Sequence, residues 1–142
     1  MSNITDKNLV DKIIPSQPPI DPQSDVHLLK SRLEWGKPAF TILDVRDRKT
    51  YNEGHIMGAM PMPLNELVER ASSSIAKTRD IYIYGANDEE TAQAAQKLRS
   101  AGFENVSELR GGLAAWKAIG GPTEGIIESQ TPPGPGDYNV VS

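Results

Sequence analysis

Three carboxylates in a row, Asp88, Glu89 and Glu90, are the densest chemical feature of the chain. They lie in IYIYGANDEETAQAAQKLRSAGF, residues 81–103, where an apolar run meets a small turn and then an amphipathic segment. Successive backbone N–H groups entering a helix favour negative charge, through unpaired donors and the helix dipole. A loop of this form attracts an anion or stabilises a thiolate. The chain has no cysteine, so disulfides, thiolate metal sites and thiol chemistry of its own are excluded. The acids themselves can occupy the place of an external anion. Asn87 with Glu90 three residues on fits a capping box, and Asp88 with Thr91 is a competing cap. Three uses of residues Gly85, Ala86, Asn87, Asp88, Glu89, Glu90 and Thr91 stay open at this point. They cap a surface helix, offer an acidic surface to a basic protein segment, or supply an acid–base pair or weak cation site. Neighbouring carboxylates argue poorly for the last, because acid and base must face a common point. The two histidines, His27 and His55, are far apart, so no histidine metal site is expected. No cofactor is expected either.

The flanking segments read as the scaffold for that loop. Residues 1–22 form a lead-in, with four prolines among the eleven residues IIPSQPPIDPQ opposing regular helix. Ser24 or Asp25 then caps a helix through DVHLLKSRLEW, with Val26, Leu29 and Leu33 at helical spacing and Gly36 as a stop. FTILDVRD is continuously apolar before it turns charged, as suits a strand covered on both faces. YNEGHIMGAMPMP is turn-rich. LNELVERASSSI puts Leu64, Leu67, Val68 and Ala71 on one helical face. IYIY, 81–84, is the central strand. Behind the acids, Ala94, Ala95, Leu98 and Ala101 form a buried stripe, closed by Gly102 and Phe103. VSEL, 106–109, is another strand, and RGGLAAWKAIGG holds a short helix between glycines. From residue 122 the composition turns to Pro, Gly and polar residues, and a flexible tail over 122–142 is expected. Strands and helices in short alternation predict an α/β fold with a parallel sheet over residues 23–121.

Composition narrows the classes further. The chain has 142 residues, 37% of them hydrophobic, enough for one domain with one core. Its net charge of −4 and the lack of a Lys/Arg cluster argue against a nucleic-acid partner. No apolar run approaches the roughly 20 residues that span a bilayer, so no membrane partner is expected. MSNITDKNLVDKIIP is mixed and charged, unlike a secretory signal, and a cytoplasmic location is the expectation.

Several of these stretches together resemble the rhodanese-like domain. ILDVRDRKTYNEGHIMGAMPMPL is similar to that family's Asp-x-Arg strand end and its Gly-His-Ile-x-Gly-Ala segment. IYIYGANDEETAQAAQKLRSAGF is similar to its central strand, active-site loop and following helix. VSELRGGLAAWKAIGGP is similar to its last strand and Gly-Gly-x-x-x-Trp helix. Order and spacing match over roughly residues 20–124. The resemblance implies a three-layer sandwich, a central five-stranded parallel sheet with helices on both faces. Active members are sulfurtransferases, in which a cysteine directly after the central strand carries sulfur as a persulfide. Backbone N–H groups, and often a loop arginine, stabilise its anion.

The resemblance also locates the departures. Aligned on Thr91, Gly85 stands at the nucleophile position, Glu90 where arginine is common, and Asp88 where glycine is common. Gly85 has no side chain to attack with. Glu90 reverses the charge: two unit charges about 4 Å apart interact by roughly 4 kcal/mol at an effective dielectric near 20, and less where solvent screens them. The implied protein is a rhodanese-like domain without sulfurtransferase activity, a binding or regulatory module with 85–91 as its recognition loop. One alternative is an enzyme of another kind using Asp88, Glu89 or Glu90 with His55. The other is a scaffold for a partner that brings its own cysteine. Asp44, Arg46 and His55 are expected to hold loops together, Trp116 with Leu113 to be core, and Trp35 to be half-exposed.

Overall fold

In the strand Asp80–Tyr84, side chains alternate between two faces, and both faces are apolar. Ile81 and Ile83 pack into one cluster with Leu43, Val106, Leu98 and Ala95. Tyr82 and Tyr84 pack into another with Ile42, Leu109, Leu29 and Trp116. A strand with two apolar faces needs cover on both, and the computed structural model, which describes residues 20–36 and 38–126, has helices on each.

The elements in chain order are β1 (Gln23–Ser24), α1 (Val26–Glu34), β2 (Phe40–Asp44), α2 (Arg48–Glu53), β3 (His55–Ile56) and β4 (Met60–Pro61). A 3-10 turn (Leu64–Glu66) leads into α3 (Leu67–Ser74), followed by β5 (Asp80–Tyr84), α4 (Asp88–Ser100), β6 (Asn105–Leu109), α5 (Gly112–Ala118) and β7 (Thr123–Glu124). Five strands form the main sheet in the order β1-β6-β5-β2-β4, every pair parallel. Helices α3 and α4 cover one face, and α1 and α5 the other. The register sets Asp44 beside Tyr84, so β2 and β5 end level and their loops emerge side by side.

Local chemistry accounts for the boundaries. Asp25 is the cap of α1, accepting from the N–H groups of His27 and Leu28 at 2.7 and 3.4 Å. Ser24, the other candidate, is instead buried in β1 with its hydroxyl 2.5 Å from that of Ser107. Helix α4 ends as its Gly-Phe pair predicts. Gly102, at φ 99°, donates to Arg99 O and Phe103 to Leu98 O, a Schellman pattern that buries Phe103.

The structure corrects several expectations. Leu33 and Val68 are 42% and 36% exposed, because α1 and α3 touch the core through narrower stripes, Val26–Leu29 and Leu67–Ala71. Trp35 is 81% exposed rather than half, at the C-cap of α1 beyond its buried stripe. YNEGHIMGAMPMP contains part of α2 and two short strands as well as turns. Within the span expected to be tail, Thr123–Glu124 pairs antiparallel with His55–Ile56. Two-residue strands carry too little alternation to be read from sequence. Residues 1–19 of the lead-in and 127–142 of the tail lie outside the described residues.

Candidate functional site

Loops at the carboxyl ends of parallel strands are where open α/β sheets place their ligands. At that end of β5, Gly85 is buried and Ala86 to Glu89 are exposed. The loop is closed by its own side chains. Thr91 Oγ1 accepts from Gly85 N at 2.8 Å and donates to Asn87 O at 2.9 Å. Asn87 caps α4, its Oδ1 accepting from Glu90 N at 2.8 Å. Glu90 Oε1 accepts from Ala86 N at 2.8 Å. This is a capping box shifted by one residue, since the glutamate reaches the N–H before the cap and not that of the cap itself. Asp88 turns away from Thr91 and accepts from Gly111 N at 2.9 Å, tying the β5 loop to the β6 loop.

Glu90 also decides what position 85 can hold. A Cβ built on Gly85 would lie 2.6 Å from Glu90 Oε1 and 3.0 Å from its Cγ. Gly85 is not among the residues at positive φ, so space, and not backbone strain, makes glycine fit here. The acid supplies, from inside the chain, the negative charge that the helix start favours.

The neighbouring strand end is built on a buried ion pair. Asp44 is fully buried. Arg46 donates to it from Nη2 at 2.6 Å and from Nε at 3.0 and 3.1 Å, and its backbone N–H adds a bond of 2.9 Å. Arg46 Nη2 also donates to Gly54 O at 2.6 Å. Burial alone would weaken the guanidinium's hold on its proton, but the bonds and charge of Asp44 outweigh it and hold the pKa above the ordinary arginine value. Burial, reinforced by the Asp44 carboxylate, pushes the Tyr84 phenol far above its usual range. Tyr84 is therefore a neutral hydroxyl, and it accepts from Ile56 N at 3.0 Å.

Between these loops lies a groove of about 560 Å3. One side is formed by Gly85, Ala86, Asn87 and Asp88, with Arg46 and Thr50 beside them. Gly111, Gly112, Leu113, Ala114 and Lys117 form the other side. Sequence reasoning reached the first side and missed Thr50 and the second. The available signal was the Gly111–Gly112 doublet, one residue beyond the end of β6. Both residues sit at positive φ, 76° and 51°, and a Cβ on Gly112 would lie 3.4 Å from Gly85 O. That close approach keeps the two loops together.

The loop, Asp44 and Arg46 thus meet at one strand end, whereas His55 is engaged elsewhere. Its Nδ1 lies 2.6 Å from Tyr51 O, so that nitrogen carries the proton and donates. Its ring stacks on Tyr51 at 3.6 Å, and its Nε2 faces Glu124 at 3.4 Å. Its bonds lead to Tyr51 and Glu124 and not to the loop acids. Trp116 is fully buried, with Leu113 packed against the same cluster. Among the described residues, no group of three or more His, Asp or Glu side chains is placed to hold a metal, and no helix is long and apolar enough to cross a membrane.

A five-stranded parallel sheet clothed by helices on both faces, with a loop and helix start at the end of the central strand, defines the class. Residues 25–119 match the family profile of the rhodanese-like domain, and the chain belongs to that family. The solution structure of the rhodanese-like domain of the Alr3790 protein from Anabaena sp. is 77% identical, with a TM-score of 0.76 over 87% of this chain and 93% of that one. The uncharacterized protein YqhL of Bacillus subtilis is 35% identical over 75 residues, 53% of this chain and 59% of its own length. A thiosulfate sulfurtransferase, GlpE of Coxiella burnetii, is 34% identical over 82 residues, 58% of this chain and 76% of its own. The chain thus spans about three fifths of YqhL.

Proposed function

We propose that this chain is a rhodanese-like domain without sulfurtransferase activity that works as a binding or regulatory module. Its contact surface is the groove beside Gly85–Asp88, and its partner is a protein segment with basic side chains turned towards the exposed rim at Glu89. One observation carries the reading: the Glu90 carboxylate occupies the space that a side chain at position 85 would need, and it holds the Ala86 N–H. The chain lacks the thiol, and a side chain at position 85 would have to displace Glu90. Of the loop acids, Glu90 is committed inward and Asp88 to Gly111, which leaves Glu89 to face outward.

The test is sulfur transfer from thiosulfate to cyanide by the purified chain, with an active sulfurtransferase as control. Thiocyanate is expected at the rate of the protein-free background. Turnover that follows the chain through successive purification steps would end the proposal.

A further inference from the structure

The short strand β7 touches the machinery behind the groove at more than one point. Glu124 Oε1 accepts from Gly58 N at 3.0 Å and faces His55 Nε2 at 3.4 Å. Thr123–Glu124 pairs with His55–Ile56, and Pro122 O accepts from Met57 N at 3.1 Å and from Trp116 Nε1 at 2.8 Å. Gly125, at φ 142°, lies so close to the end of α2 that a Cβ there would be 2.7 Å from Gly54 Cα and 2.8 Å from Glu53 O. Residues 122–125 therefore grip both flanks of Gly54, through His55 on one side and by backbone contact on the other.

Gly54 is the residue whose carbonyl accepts from Arg46 Nη2, and Arg46 lines the groove. Two residues further on, Ile56 donates through its backbone N–H to Tyr84 OH, and Tyr84 directly precedes Gly85. A continuous line of short contacts runs from Glu124 through residues 54–56 to Arg46 and Tyr84. Packed interiors pass small displacements on because they hold few voids.

We infer that residues 122–125 are a positioning strap for the groove: this segment sets where Arg46 and the Gly85–Asp88 loop sit. Glu124 is its fastener and Gly125 the residue that lets it lie flat. Release of residues 122–125 from these contacts then reaches the groove without any ligand in it. The inference stands whether or not the groove takes a partner, because its readout is the position of Arg46 and the loop and not binding.

The test uses the 15N-labelled full chain and two variants, Glu124→Ala and Gly125→Ala. Strap release is read as faster hydrogen exchange at the Gly58 amide, about tenfold for the loss of one bond of ordinary strength. Coupling is read at the Arg46 Nε–H and the Gly85, Ala86 and Gly112 amides, which are expected to shift in both variants. The Ile81 and Ile83 amides in the central strand stay in place and certify the fold. Glu124→Gln keeps an acceptor for Gly58 but removes the charge facing His55, so it gives smaller shifts in the same direction and serves where Gly125→Ala fails to fold. Faster Gly58 exchange with unmoved Arg46 and loop signals overturns the inference. Unchanged Gly58 exchange in Glu124→Ala overturns it as well, since the strap then has another fastener.

Discussion

Two strand-to-helix turns stand side by side at the same end of the sheet, after β2 and after β5, and they use negative charge in opposite ways. Both are capped by an Asx residue, Asp47 on Thr50 N at 2.8 Å and Asn87 on Glu90 N at 2.8 Å. At the end of β2, the buried acid Asp44 has a cation, Arg46, which lines the groove. After β5, the acid Glu90 is held by a backbone N–H at the helix start. The first turn needs its charges to keep the framework. The second uses its charge to fill a space.

The comparison breaks most visibly at Asp44. Asp44→Ala leaves the Arg46 guanidinium, whose side chain is 10% exposed, without the carboxylate that accepts three contacts from it and one from the Arg46 backbone N–H. Removing one partner of a buried pair costs roughly 3–5 kcal/mol, so urea unfolding should shift by about that amount. A loss below about 1 kcal/mol would mean that water reaches the guanidinium and that the pair is not framework.

Gly85→Cys sharpens the other half. The new Cβ displaces the Glu90 carboxylate from Ala86 N, and the loss of that bond costs roughly 1–2 kcal/mol. The thiol then sits beside a carboxylate, which raises its pKa above the ordinary value of about 8.5. Little or no sulfur transfer is expected. In Gly85→Cys with Glu90→Ala, space and the helix start are both returned, so the thiol pKa falls below that of the single variant. The check is the pH dependence of thiol alkylation in the two proteins, with thiocyanate formation alongside. Equal pKa values would show that Glu90 does not control the charge at position 85.

These differences were unequally legible in the sequence. The layers were readable because Ile81 and Ile83 alternate with Tyr82 and Tyr84, and every second residue carries the same message. The closed loop was half readable. Asn87 and Glu90 have the spacing of a capping box, but whether the glutamate reaches residue 86 or 87 depends on the exit angle of β5, which spacing does not encode. Asp88 read as a cap and is instead a cross-loop tie to Gly111, a contact 23 residues away that only the sheet order creates. The second side of the groove was hidden for the same reason: Gly111 and Gly112 look like helix punctuation until β6 is placed beside β5. The pairing of Thr123–Glu124 was masked by a Pro/Gly-rich composition that signals flexibility and carries no information about a two-residue partner strand.

The smallest expected effect separates the two caps by their chemistry. Asp47 is ionisable and Asn87 is not. The Thr50 backbone N–H, then the Thr50 hydroxyl, hold the Asp47 carboxylate below its ordinary pKa of 3.8. A group lowered by folding contributes stability that is complete above its unfolded pKa and fades as pH falls through the lowered one. The α2 cap is therefore intact at neutral pH and weakens only below pH 3.8, while the Asn87 cap of α4 keeps its form throughout. The Thr50 amide signal should titrate in that acid range and lose the transition in Asp47→Asn. The reciprocal change, Asn87→Asp, should add an acid transition at the Glu90 amide beyond any caused by the neighbouring carboxylates. If Thr50 titrates identically in Asp47→Asn, some other acid governs that turn, and the contrast between the two caps dissolves.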